Sequence, residues 1–349
     1  MKQKGRGFHG QRATNRQIAR PAGISLLEVV VTITIASVMM GLLLPAIQKA
    51  REAARRAQCA NNLRQLGLAA QGFHSAQGSF PPVRPGNPAA DAGWGHLVCL
   101  LPLLGQPVLY EKIDYTKPVS DPVNIGVALT PMPVLRCPSD VNRMTNPGDP
   151  LALAGYAKNN YRGNGGNNTG GLAADGTENN NGVFVAGKRV GISQIFDGAG
   201  STALYSEGVL GDGNNNQISV PGDWFAISPA SSSCDAVLAA AKSVTPSPGA
   251  NAQFSYAGNT FVSGDYTASR YNHVLPPNAM SVVVVGPNGD LAMAINSGVQ
   301  ATTASSRHPG GVNLVLVDGS TRFISNDISS QIWQGLGSIA GGETLPDSF

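Results

Sequence analysis

The side chains able to do chemistry in this 349-residue chain are few and scattered. Cys59, Cys99, Cys137 and Cys234 include no Cys-x-x-Cys pair, so they argue for disulfides or buried thiols rather than a zinc site. His9, His74, His96, His273 and His308 never fall in a His-Glu-x-x-His pattern. Gly-x-Ser-x-Gly, Walker and dinucleotide-binding patterns are absent as well. The reading is therefore of a protein that is not an enzyme, with no catalytic residues and no required cofactor. Calcium is the lesser expectation. GDGNNN (211–216), with Asp212, Asn214 and Asn216, and DGTENNNG (175–182) offer carboxylate and amide oxygens at the close spacing that ion uses. Neither fits an EF-hand loop, and Asn/Gly turns make such clusters without metal.

Glu28 is the most informative single residue. It is the one charge in ISLLEVVVTITIASVMMGLLLPAI (24–47). That run exceeds the roughly 20 residues that cross a bilayer core as a helix. It is also longer than the apolar core of about 7–15 residues in a cleaved secretory signal. A carboxylate inside such a helix costs roughly 2.5–3.5 kcal/mol at mid-membrane. Either Glu28 has work to do there or, five residues in, it reaches back to the interface. Ahead of the run stand Lys2, Lys4, Arg6, Arg12, Arg16 and Arg20 with no acidic residue. This asymmetry places the N-terminus in the cytoplasm and the large domain outside it.

Gly23 precedes the run, Ile24 opens it, and Glu28 is the fifth residue after Gly23. This arrangement resembles the type IV prepilin and pseudopilin signal, although that family usually has Phe or Met where this chain has Ile24. Arg6-Gly7-Phe8 does not qualify, because the fifth residue after Gly7 is Arg12 and no apolar run follows. The resemblance implies cleavage after Gly23 by a membrane prepilin peptidase and N-methylation of Ile24. It also implies pairing of Glu28 with the Ile24 amine of a neighbouring subunit, which would fix axial register. Pro45 lies where many pilins carry a helix-loosening proline, and a kink is expected there.

Five further blocks are similar to a large bacterial family of pilin-like proteins: 55–82, LRCPSD (135–140), 192–208, HVLPPNA (273–279) and SSRHPGGVNLVLVDGSTRFIS (305–325). That family joins the prepilin signal to a C-terminal His, nine residues, then Asp-Gly; here these are His308, Asp318 and Gly319. A structural role is favoured for them over catalysis. Asp318 would close its own turn and His308 would hydrogen-bond a neighbouring loop backbone. Of the three possible full cysteine pairings, Cys59–Cys137 is favoured as a staple of the helix to the body. Cys99 and Cys234 are left as a second bridge or as buried thiols.

These residues need elements to position them. Cys59, Leu63, Leu66, Ala70 and Phe73 recur at helical spacing and form one apolar stripe. Lys49, Arg51, Glu52, Arg55 and Arg56 lie between the membrane run and that stripe. One helix from about Ile24 to His74 is predicted. Beyond it, 43 glycines, 24 prolines and only 13% charged residues exclude a coiled coil or helical bundle and favour a turn-rich β domain. Residues 94–114 read as a buried segment leading into a short helix, and 158–182 as an Asn/Gly loop with few packing residues. Strands are predicted at 183–185, 203–205 and 281–285. A hairpin joins 312–317 to 321–324 through a primed Asp318-Gly319 turn.

The expected organisation is a leader (1–23), a transmembrane helix (24–47), its amphipathic continuation (48–80) and an extracytoplasmic domain (81–349). The fold class is α+β, a long helix packed on an antiparallel β-rich domain, pilin-like. The function implied is a structural or accessory subunit of a cell-envelope fibre or a type II secretion-like system. It would sit as a single-pass protein of the cytoplasmic membrane, or in a surface or periplasmic fibre. Its partners would be the prepilin peptidase, related pilin subunits and the membrane. The body is slightly acidic, which speaks against nucleic acid. The alternative is a membrane-anchored extracytoplasmic binding module for a carbohydrate or surface polymer; an exported hydrolase ranks last.

Overall fold

The structure, a computed structural model, describes residues 23, 25–83, 93–141, 155–170, 178–229, 231–249, 251–285, 299–343 and 345–346. The chain divides into two units, Met1–Arg51 and Glu52–Phe349. Helix α1 (Leu26–Gln77) contributes to both and runs through Pro45 without a break in its helical assignment.

In the first unit every described residue from Ser25 to Arg51 is exposed, including Leu26, Val30, Met40 and Leu44. By length and composition this helix is apolar and long enough to cross a membrane. Its hydroxyls are turned inward: Thr32, Thr34 and Ser37 donate to the carbonyls of Glu28, Val30 and Ile33 at 2.7–2.9 Å. Such back-bonding satisfies these hydroxyls without water. The helix starts at Leu26 because Ser25 caps it. The Glu28 N–H donates to Ser25 Oγ (3.2 Å), and the Ser25 N–H donates to Glu28 Oε2 (3.0 Å). That reciprocal pair is a capping box.

The second unit takes up the rest of α1, where Cys59, Leu63, Leu66 and Ala70 are buried along the predicted stripe. The stripe lies against a five-stranded sheet of order β5-β1-β2-β8-β9. Its strands are β1 (Tyr161–Asn164), β2 (Ala203–Glu207), β5 (Arg270–Tyr271), β8 (Gly311–Leu316) and β9 (Thr321–Ser325). Gly67 makes the close approach possible, since a Cβ there would stand 2.9 Å from Val315 Cγ2. Arg56 lies flat over the Phe323 ring, 3.3 Å from its centroid. A second sheet, β4-β3-β6-β7, comprises β3 (Trp224–Ile227), β4 (Gln253–Phe254), β6 (Ser281–Val284) and β7 (Gln300–Ala301). Helix α4 (Cys234–Ser243) packs on it through Val237 and Ala241 against Ile227, Val282 and Ala301. Short helices α2 (Pro107–Glu111), α3 (Pro122–Ala128) and α5 (Ser330–Gly337) complete the unit, with 3₁₀ turns at His96–Leu100 and Pro102–Leu104 in the expected buried segment.

The class is α+β, with three corrections to the sequence reading. The sheets are mixed rather than antiparallel, because β1 pairs with β5 and β3 with β6 in parallel. Residues 183–185 are buried but form no strand. The 158–182 segment is not a simple loop, since it carries β1 in the five-stranded sheet. Its asparagines replace packing bulk with hydrogen bonds. Asn164 Nδ2 donates to the carbonyls of Ala203 and Gly337 (both 2.9 Å), and its Oδ1 accepts from the Gly166 N–H (2.8 Å). Asn160 Nδ2 similarly reaches Asp140 Oδ2 (2.7 Å) and the Gly208 carbonyl (3.0 Å).

Candidate functional site

His308 precedes β8 in a tight turn: its N–H donates to Ser306 Oγ (3.1 Å), and Gly310 follows at φ +85°. The turn aims the imidazole inward, where its side chain is fully buried. It does not bond a loop backbone, as the sequence reading expected. Nδ1 meets Glu52 Oε1 of α1 at 2.7 Å, and Nε2 meets Glu207 Oε1 at the end of β2 at 3.2 Å. Nε2 also lies 3.6 Å from Cys137 Sγ. That sulfur is bonded to Cys59 of α1, with the two Cα atoms 5.1 Å apart. The favoured pairing is thus present, while Cys99 and Cys234 are free.

Two carboxylates on one imidazole make a charged site. Glu207 is nearly fully buried, and its oxygens accept the Asn313 N–H (2.8 Å) and Nδ2 (2.9 Å) from β8. Burial alone would lower the His308 pKa, but hydrogen bonds and attraction from Glu207 and Glu52 outweigh it and the pKa is raised. Burial likewise works against ionised Glu52, yet His308 and Arg55 hold its pKa below the ordinary value. Arg55 reaches Glu52 Oε2 through Nε (3.0 Å) and a terminal nitrogen (2.6 Å), and Ser139 Oγ approaches at 3.4 Å. Alongside, Arg307 Nε faces Asp140 Oδ1 at 3.4 Å. The arrangement fits an imidazolium clamped between a helix carboxylate and a strand carboxylate.

Asp318 and Gly319 lie at the far end of β8. Asp318 closes its own turn, accepting from the Ser320 N–H (2.8 Å) and Oγ (2.6 Å). Gly319 has positive φ (+85°) but Asp318 does not, and both primed two-residue types need it at the first central position, so the turn is neither. Next to it, Gln71 Nε2 of α1 donates to the Val317 carbonyl (2.7 Å). His308 and Asp318 are therefore separated by a strand and are no catalytic pair. Both ends of the segment instead fasten α1.

The remaining expected sites stand apart. Gly23 is exposed, and Ile24 and the leader lie outside the described residues. Glu28 bonds within its own capping box, a role that Ser-x-x-Glu spacing signals and the sequence reading missed. In the calcium candidate, Asp212 Oδ1 accepts from the Asn214 N–H and Asn214 Oδ1 from the Asn216 N–H. The carbonyls of Asn214, Asn215 and Gln217 converge on Gln253 Nε2 at 2.8–3.4 Å, so an amide already serves those loop oxygens. In the other cluster, residues 175–177 lie outside the described residues, and Glu178 is committed to Arg270 and Tyr266. Burial pushes the Cys99 thiol up to about 12, making it inert. The one metal-capable grouping among the described residues is Cys59, Cys137, Glu207 and His308, whose ligand atoms all lie within 4.8 Å of one another.

A family model described as "Protein of unknown function (DUF1559)" matches residues 48–331, a span that contains all four of those residues and the His308–Gly319 segment. No curated protein and no solved structure matches the chain.

Proposed function

We propose that the chain, which belongs to the DUF1559 family, is a pilin- or pseudopilin-like subunit, structural or accessory, of a cell-envelope fibre or type II secretion-like system. The observation that carries this reading is a single helix with two kinds of surface. Residues 26–47 of α1 are apolar and exposed, with Glu28 the one charge among them, whereas the later turns are built into the folded domain. In this reading a prepilin peptidase removes residues 1–23 at the cytoplasmic face, and Ile24 becomes the methylated N-terminus. The domain lies outside the cytoplasm. Before assembly Glu28 has a local partner in the Ser25 N–H; on assembly its charge meets the Ile24 amine of a neighbour in low dielectric.

Glu28→Gln tests this cleanly, because glutamine serves a capping box as glutamate does but carries no charge. The variant is expected in the membrane and cut after Gly23, yet missing from sheared fibres, since removing one partner of a buried pair costs roughly 3–5 kcal/mol. N-terminal sequencing and fractionation read both steps. A wild-type chain that stays monomeric in the membrane, with the variant indistinguishable from it, supports the anchored binding module instead.

A further inference from the structure

We propose that Cys59, Cys137, His308 and Glu207 form a closed, four-ligand site for a thiophilic divalent cation of the zinc class, exposed when the Cys59–Cys137 bond is reduced. Tetrahedral zinc, with Zn–N and Zn–O near 2.1 Å and Zn–S near 2.3 Å, requires N···S and N···O edges of about 3.6 and 3.4 Å. His308 Nε2 already stands 3.6 Å from Cys137 Sγ and 3.2 Å from Glu207 Oε1. The four ligand atoms all lie within 4.8 Å of one another, and the two sulfurs must separate to about 3.8 Å.

The outer partners are in place too. A zinc-bound histidine characteristically gives its second nitrogen to a carboxylate, which fixes its orientation. His308 Nδ1 does so to Glu52 Oε1 at 2.7 Å. A zinc-bound carboxylate is itself held by hydrogen bonds, and Glu207 is held by Asn313. All four candidate ligands are buried, and four protein ligands leave no open position, as in a structural rather than catalytic site.

The chemistry balances with a dithiol as reductant. Its two electrons and two protons pass to the cysteine sulfurs, and it leaves as its own disulfide. The cation then displaces one proton from each thiol and one from His308 Nε2, and Glu207 completes the ligand set through a carboxylate oxygen. Disulfide and metal are thus alternative staples of α1 to the same place in the domain. This inference does not depend on whether the chain assembles into fibres.

The test uses the full chain in detergent, reduced anaerobically with a phosphine, which does not compete for metal as a dithiol does. Cobalt(II) is titrated first, then zinc. The expected result is a thiolate-to-cobalt charge-transfer band saturating at one ion per chain and abolished by zinc. The band should be absent from the oxidised chain and from the Cys59→Ser/Cys137→Ser variant, which retains Cys99 and Cys234. His308→Gln should weaken binding, and Glu52→Gln should lower zinc affinity about 10–100-fold while keeping the band. If reduction unfolds the chain, zinc should restore its circular dichroism. A reduced, folded chain without the band overturns the proposal, as does a band that survives in the double serine variant. So do affinity unchanged by His308→Gln and a reduced chain that zinc cannot refold.

Discussion

Replacing His308 with glutamine should destabilise the domain by an amount that depends on pH in a defined direction. Glu207 is 2% exposed, so losing its cationic partner falls in the range of roughly 3–5 kcal/mol for breaking a buried pair. Glu207 keeps both Asn313 donors, which places the expected loss near the lower end, about 3 kcal/mol. Glu52 adds less than about 1 kcal/mol, because it is a quarter exposed and retains Arg55. The pH dependence follows from the two shifted groups. His308 has a raised pKa in the fold, so its contribution is complete below its ordinary value of 6.5 and is lost as pH rises through the raised value. Glu52 has a lowered pKa, so its contribution is present above its ordinary value of 4.5 and is lost as pH falls through the lowered value. Both operate together between about pH 4.5 and 6.5. The groups facing the imidazole's surroundings are Glu52, Glu207, Arg55 and the Arg307–Asp140 pair. Thermal unfolding of wild type and His308→Gln, followed by circular dichroism in detergent from pH 4 to 9, measures the gap. It should be widest in that window and narrow on the alkaline side. A gap that is constant with pH, or that widens as pH rises, refutes the clamped imidazolium.

Other substitutions probe the remaining joints. Cys137→Ser should lower stability by roughly 2–4 kcal/mol under oxidising conditions, read as a shift of the denaturant midpoint; an unchanged midpoint counts against the staple. Gly67→Val should cost about 1–3 kcal/mol, because its side chain collides with stiff, buried Val315. Gly72→Ala is the control: its nearest neighbour, Leu103 Cδ2, is 3.7 Å away, so it should gain up to about 1 kcal/mol of helix propensity. Asn164→Leu should destabilise by more than about 2 kcal/mol, since it strands the carbonyls of Ala203 and Gly337 and the Gly166 N–H.

What could be read in the sequence follows the range of the interactions. The helix was legible because its signals are local: an apolar run, then a stripe at helical spacing, giving about 24–74 against the observed Leu26–Gln77. The β8–β9 hairpin was legible for the same reason, although the type of its turn was not. The cysteine pair came from the stripe together with the family-like block at 135–140. The imidazolium site was not legible. Its members stand at 52, 59, 137, 207 and 308 on separate elements, and Glu52 looks like one more charge in a solvated flank. β1 was hidden because Tyr161-Arg162-Gly163-Asn164 has no apolar alternation, being buried on all four residues and satisfied by side-chain amides. The parallel pairings escaped too, since strands as short as Arg270–Tyr271 carry no period at all.

The spacing from His308 to the Asp318-Gly319 turn has a physical reading in this fold. Of the nine residues from His308 to Val317, only β8 (Gly311–Leu316) is extended, about 20 Å of chain, and turns flank it. From Glu52 to Gln71 is nineteen residues, which a helix spans in about 28 Å. His308 meets Glu52 at one end and Val317 meets Gln71 at the other, so the segment and the helix are fastened together at both ends. Between these ends Gly67 lets α1 approach Val315, and Cys59 holds the helix to Cys137. The fastenings differ in chemistry: an ion pair, a disulfide, close packing and a neutral hydrogen bond. They are also spread along the helix, so tension drawn along α1 would load them in shear together rather than one after another. The His308–Gly319 segment thus joins α1 to the five-stranded sheet through side chains that clasp the helix at both ends of β8.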